Sequence, residues 1–365
     1  MAFTLLKYFR TAARQLALAI AVVATGAALT GCDDVIYDEE GDCEIHHRLR
    51  FRFDYNLLFA DAFSSQVHSV AVYAFEPDGT FAWMLEESGW QLSAEGYTMS
   101  LDGIAPGEYT LVGWCGTDNS FLGAKTESFT LPRLVEGIST ISDLTCRMNR
   151  DHHTDGTAHS AENLWPLFHG STTDVIIYEP DGTEADGRTI TYQMDLKKDT
   201  NRVRVVLQQL SGDDINAEGF TYTIETANGQ MAYNNNLIPD ETITYHPWNT
   251  ETAYGGLIIS DNDYASDNVT QVKVAIADLT IARMVKDHPT ILTVFRPDGK
   301  VAARIPLVDY ALLTKGNYST PMTDQEFLDR EDTYTLTFFL DKNYMWAGTT
   351  IYINSWRVVL NNTDI

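Results

Sequence analysis

Apolar and polar residues alternate with a period of two over short stretches of this chain, and most stretches end at a turn signal. Leu49, Phe51, Phe53 and Tyr55 alternate with Arg48, Arg50, Arg52 and Asp54, the pattern of a strand with one buried face. Residues 67–75 and 80–85 flank Glu76-Pro77-Asp78-Gly79. There Pro presets φ, Asp bonds the backbone and Gly takes the left-handed conformation. The same logic recurs at Glu179-Pro180-Asp181-Gly182, and at Arg296-Pro297-Asp298-Gly299 between strands 291–295 and 300–305. Pro106-Gly107 launches a strand over 108–115, and 138–148, 173–178, 202–210, 270–277, 334–340 and 350–360 read as further strands. Asn228-Gly229, between 220–225 and 230–233, is a hairpin signal.

Helices are few and short. The spacing predicts one over 307–315, stopped by Gly316 in the C-cap position, and one opened by the capping box Thr323-Asp324-Gln325-Glu326. Residues 150–160, RDHHTDGTAHS, read as a polar loop. Many short strands with turn signals predict an all-β fold of β-sandwiches. The chain of 365 residues exceeds one typical domain of about 100–200. Strand, connection and turn recur at nearly the same spacing in both halves, which suggests duplication. The expected layout is a leader over 1–31, a tether over 32–44, and sandwiches over 45–170 and 171–365.

The first 31 residues differ in kind. Lys7, Arg10 and Arg14 precede an apolar run over 16–29, the layout of an export signal and too short for a bilayer span of roughly 20 residues. Leu29-Thr30-Gly31-Cys32 resembles the lipobox of bacterial lipoproteins. That resemblance implies cleavage between Gly31 and Cys32 and acylation of Cys32, for example with palmitate. An ordinary export signal with an incidental cysteine is the alternative. One acyl chain holds a protein only marginally, whereas two or more fix it to a membrane. Residues 33–44, DDVIYDEEGDCE, are too acidic to bury a core and read as a solvated tether. Just behind a lipidated cysteine, such a run also resembles a signal for the outer face of the outer membrane.

Charge and cysteines narrow the function. A net charge of −26 repels nucleic acid, whose binding rests on Lys and Arg. With Cys32 acylated, Cys43, Cys115 and Cys146 remain, and an oxidising compartment predicts one disulfide among them with one thiol left over. The three pairings stay open.

No G-x-S-x-G, H-E-x-x-H, Walker loop or G-x-G-x-x-G occurs, so no enzyme is expected and no cofactor is implied. His152, His153 and His159, with Asp151 and Asp155, are the best metal candidates, but their spacing fits no standard zinc site. Residues 262–268 carry calcium-like acids without the glycine and closing glutamate of an EF-hand loop. Seven tryptophans leave sugar stacking open, although Trp114 and Trp356 lie in alternating strands that favour core burial.

The C-terminal half carries a more specific signal. Residues 334–340, YTLTFFL, followed by 351–360, IYINSWRVVL, resemble the ending of the FimB-type fimbrial anchor lipoproteins. Residues 322–329 (MTDQEFLD), 199–206 (DTNRVRVV), and Cys43 followed by 49–56 (LRFRFDYN) resemble that family too, in order. The resemblance implies two tandem transthyretin-like β-sandwich domains, and a lipid-anchored minor subunit of a donor-strand fimbria. Such a subunit joins fimbrial stalk subunits by β-strand complementation, holds the pilus at the outer membrane surface and limits its length. A fimbrial tip adhesin or a surface glycan-binding lipoprotein is the alternative. The five residues after Leu360 are too few for a separate donor strand, which fits an anchor better than a stalk subunit. Asn354, Ser355, Trp356 and Arg357 are read as a structural motif, with Trp356 in the core and Arg357 paired to an acid.

Overall fold

The computed structural model of the chain describes residues 45–118, 120, 127–178, 188–255 and 272–359. Strands are numbered in chain order. The first alternating stretch forms β1 (His46–Arg52), with Leu49 and Phe51 inward and Arg50 in solvent. It joins a seven-stranded sheet with β2 (Ser69–Phe75), β3 (Phe81–Ser88), β4 (Thr98–Ser100), β5 (Gly107–Cys115), β10 (Phe168–Ile177) and β11 (Thr189–Lys198), in the order β3-β2-β5-β10-β11-β1-β4. Strands β10 and β11 pair only from Phe168 to Gly170. The strands on either side of that short pairing share one core, which includes Leu49, Phe51, Val72, Leu111, Phe168 and Leu196. A single-turn helix α1 (Phe63–Gln66) adds Phe63 to this core.

A second pair of sheets follows. One contains β12 (Thr200–Gln209), β16 (Asn249–Gly255), β17 (Val272–Ala282), β20 (Thr333–Leu340), β21 (Trp346–Ile353) and β22 (Trp356–Val359), ordered β16-β17-β12-β20-β21-β22. The other contains β8 (Asp151–His152), β9 (Ala158–Ser160), β13 (Thr221–Thr226), β15 (Ile243–Tyr245), β18 (Ile291–Phe295) and β19 (Val301–Pro306), ordered β19-β18-β13-β15-β9-β8. Both contribute to one core, including Val205, Ile224, Leu279, Val294 and Phe338. A small sheet of β6 (Phe129–Thr130), β7 (Thr145–Met148) and β14 (Gln230–Ala232) carries this core to Ala71, Tyr73 and Trp114, on the other face of β2 and β5. Each sandwich lobe is therefore built on apolar area that the other helps to cover, both lying in the compact unit formed by His46–Glu179 and Thr189–Ile365. The architecture is all-β with a few short helices, including α2 (Leu307–Leu312) and α3 (Asp324–Arg330).

Local turn chemistry is realised where it was most explicit. At 76–79 the Gly79 amide donates to the Glu76 carbonyl at 2.8 Å, Asp78 accepts from the Thr80 amide at 2.9 Å, and Gly79 has φ +86°. At α3 the Thr323 hydroxyl accepts from the Glu326 amide at 3.1 Å. The reciprocal half of that box is replaced, because the Glu326 carboxylate pairs with Arg330 at 2.9 Å instead.

Elsewhere the structure departs from the pattern. Asn228-Gly229 is not a hairpin: β13 pairs with β15 and β18, while β14 pairs with β7. Asn228 is buried, donating to the carbonyls of Ala282 and Arg283 at 2.9 and 3.0 Å and accepting from the Tyr245 hydroxyl at 2.8 Å. A Cβ at Gly229 would stand 2.2 Å from the Arg150 guanidinium, so a close crossing requires the glycine. Without that hairpin, the matched spacing of the two halves is no sign of duplication.

Residues 138–148 are not one strand. Ile138 is exposed, Ile141–Asp143 is a 3-10 turn capped reciprocally by Thr140 and Asp143, and only Thr145–Met148 pairs as a strand. The supposed loop at 150–160 contains the β8–β9 hairpin. Helix α2 ends at Leu312, and Gly316 lies in a 3-10 turn, Lys315–Asn317, rather than at a C-cap. Residues 350–360 turn back at Asn354-Ser355, so the chain closes with three strands. A cut near residue 170 falls inside β10, and the first sheet runs on to Lys198. The turn at 179–182 and the acids at 262–268 lie outside the described residues.

Candidate functional site

Gly31, Cys32 and Cys43 lie outside the described residues. Cys115 and Cys146 are both free and buried, one in each core, so the disulfide expected among the cysteines is not made by these two. Burial pushes both thiols upward and leaves them neutral.

The histidines do not converge. His153 and His159 stack face to face with ring centroids 3.7 Å apart, and His246 meets His159 edge-on at 6.3 Å. His152 turns away to Glu241, 3.1 Å from its Nε2. Stacked rings direct their nitrogens outward in parallel. Among the described residues no group of three His, Cys, Asp or Glu side chains could hold an ion.

Trp356 is not a core residue. It is 42% exposed, at the start of edge strand β22. The structural work of its motif is done by Asn354, which has φ +48° and is followed by Ser355 at +73°. The Asn354 side chain accepts from the Thr335 amide at 2.7 Å and donates to the Thr333 carbonyl at 2.8 Å, pinning the turn to β20. Among the described residues no carboxylate pairs with Arg357, which projects into solvent.

Two stretches singled out in the sequence meet through a residue that was not. Asp199 opens 199–206, Asp329 closes 322–329, and Arg283, the residue after β17, lies between them. The Arg283 guanidinium donates to both Asp329 oxygens at 2.8 and 3.0 Å and stands 3.7 Å from Asp199. Asn235 donates to Asp199 at 3.0 Å and Gln325 to Asp329 at 2.7 Å. Asp199 is wholly buried, and its Oδ2 has no hydrogen-bond partner. Burial raises its carboxyl to about 7 despite the nearby guanidinium and Asn235. This cluster sits where β11 passes into β12 with only Asp199 between them. Lys197 of β11 also reaches Asp329 at 3.6 Å, so the buried cluster clamps the first sheet to the second lobe.

The accessible feature is a sheet edge. β3 is outermost in its sheet; among the described residues its outward side is engaged at Phe81, which donates to the Ser139 carbonyl at 2.8 Å and accepts from the Gly137 amide at 3.0 Å, and at the Ser88 carbonyl, which accepts from the Gln91 side chain at 2.6 Å. From Ala82 to Ser88 no further backbone bond crosses that side among the described residues. Beside it runs a groove of about 1090 Å³ between β2–β3 and the wall Phe129–Leu134.

A β-sandwich scaffold with an open strand edge offers main-chain groups to which a strand of another chain can be added. Residues 39–362 match the model of the Fimbrillin-A associated anchor proteins Mfa1 and Mfa2, and the chain belongs to that family. It is 22% identical over 236 residues to the minor fimbrium anchoring subunit Mfa2 of Porphyromonas gingivalis. That match covers 63% of this chain and 65% of the relative, just under two thirds of its length. A candidate adhesin of Bacteroides thetaiotaomicron is 30% identical in its crystal structure, with a TM-score of 0.72 over 87% of this chain and 98% of that one. The fimbrial anchor protein Mfa2 of P. gingivalis shares the fold, at 17% identity, with a TM-score of 0.62 over 87% of this chain and 99% of that one. The family is one of fimbrial anchor proteins, and these relatives are fimbrial or adhesin proteins.

Proposed function

We propose that this chain is the lipid-anchored subunit at the base of a fimbria, holding the polymer to the outer membrane surface and limiting its length. The carrying observation is the family match over residues 39–362, taken with Leu29-Thr30-Gly31-Cys32 ahead of it. Acylated Cys32 is the membrane attachment, residues 32–44 are the tether, and the two sandwich lobes behind it make the subunit contacts. The division between lobes is read at Asp199 rather than near 170. Stalk subunits join by strand complementation, a mode favoured by main-chain hydrogen bonds along an unpaired sheet edge. No helix among the described residues is long and apolar enough to cross a membrane.

The test is genetic and chemical. Cys32→Ala abolishes palmitate incorporation and releases the chain from the membrane fraction. Deletion of the gene gives fimbriae that are long, shed or absent by immunogold microscopy. A Cys32→Ala chain that stays with membranes, or firmly rooted fimbriae of normal length after deletion, overturns the reading. The likeness to a candidate adhesin favours a second reading, a tip position, which predicts gold label at distal ends.

A further inference from the structure

The geometry points to the β3 groove as a docking site for an extended, locally basic segment of another polypeptide, added as a strand to the open edge of β3. This rests on the subunit-contact reading above and names the surface and the chemistry of the partner.

Three observations converge. Apart from the Ser88 carbonyl, which the Gln91 side chain holds at 2.6 Å, the backbone of Ala82–Ser88 offers amides and carbonyls unpaired among the described residues along one side, and an added strand satisfies them in register. The register of β2 with β3 sets the side chains facing the groove. Met84 lies opposite Tyr73, Glu86 opposite Ala71 and Ser88 opposite Ser69. Tyr73 and Ala71 belong to the core shared with Phe129, so Met84 and Glu86 lie on that same face. Met84 is 40% exposed, an apolar side chain at a groove whose other wall includes Phe129, Leu131 and Leu134. The groove is strongly biased in charge. Among the described residues Glu86, Glu87, Asp118, Glu127 and Glu136 line it against a single base, Arg133.

The charge selects the occupant. Glu87 accepts from Tyr97, and Asp118 from Ser120, but Glu86, Glu127 and Glu136 have no ion pair among the described residues. Residues 33–44 of this chain carry seven acids in twelve, and the whole chain has a net charge of −26. Its own tether and a second copy are therefore electrostatically poor occupants. A strand face that puts an apolar side chain against Met84 and a basic one against Glu86, two positions apart, is complementary in both respects.

The full-length chain, purified in detergent, is mixed with synthetic octapeptides of alternating Val and Lys or alternating Val and Glu. Backbone hydrogen exchange of β3 is then read. The Lys peptide slows exchange within Ala82–Ser88 by about ten-fold, and the effect shrinks as salt rises. The Glu peptide leaves β3 unprotected. The double variant Glu86→Lys with Glu136→Lys, both solvent-side changes, keeps its melting temperature and reverses the preference. Equal protection by both peptides, protection confined to other strands, or none with the Lys peptide overturns the proposal. The anchoring reading fails separately. If the Lys peptide protects β3 but gene deletion leaves fimbriae rooted, the groove stands and the anchor role falls. If deletion sheds fimbriae but β3 is unprotected, the groove assignment alone falls.

Discussion

β1 and β12 carry nearly the same pattern, RLRFR against RVRVV, and each lies between one parallel and one antiparallel neighbour. Their settings nonetheless differ. The antiparallel neighbour of β1 is the three-residue edge strand β4, whereas β12 pairs with β17 over eight residues. Charge differs more sharply. Arg48 of β1 meets Asp102 and the Ser100 hydroxyl at the surface, while β12 is preceded by the wholly buried Asp199 beside Arg283. Alternation reports that one face is covered. It does not report how deep a strand lies in its sheet, or which charges are taken out of water with it.

The largest expected effect breaks the clamp. Arg283→Met leaves two buried carboxylates without their guanidinium and should cost about 3–5 kcal/mol in urea unfolding, whereas Arg48→Met at the surface should cost about 1 or less. Equal losses would mean that the buried cluster is no more than a surface pair. Next come Leu49→Ala and Leu207→Ala, both at fully buried positions, each expected to cost about 2–5 kcal/mol. A far smaller loss at Leu49 would show that β1 frays with its short neighbour.

Acid and base act oppositely on the two strands. Partial burial raises the Asp102 carboxyl, but Arg48, the His47 amide and Ser100 outweigh it and hold it at about 2. Its contribution is present above the unfolded value of 3.8 and is lost as pH falls through about 2. Asp199 is raised to about 7, so the unfolded chain loses that proton first and stability falls as pH rises from 3.8 toward 7. Asp329, Lys197 and Arg283 all face it, and the Asn variant keeps them in place. Asp199→Asn should therefore gain on the wild type across that window in urea midpoints, and a constant difference would remove Asp199 as the source. A similarly small effect is expected at a second surface position: Trp356→Ala should cost about 1 kcal/mol, against about 3–5 for buried Trp114→Ala, read from melting temperatures.

Strands and Pro-Asp-Gly turns were legible because their causes are local, a period of two and residues that fix φ. The Thr323 cap was legible for the same reason. Asn228-Gly229 misled because what decides it is remote: the Asn side chain bonds carbonyls at 282 and 283, and Gly229 gives way to Arg150. Trp356 misled because its strand is an edge, which alternation does not reveal. The clamp was half visible as Asp199 and Asp329 in two conspicuous stretches, but Arg283 stands in neither. The β3 groove had no signal at all, since its second wall arrives with residues 129–134 by a long return of the chain.

The pairing of β1 with β11 has a mechanical meaning. It is parallel and runs unbroken through seven residue pairs from His46 to Arg52. A pull on the chain ahead of His46, directed along the strand, strains those hydrogen bonds together in shear instead of opening them one by one like a zipper. Shear geometry shares tension across the ladder, so the N-terminal lobe is built to resist a tug arriving from that end.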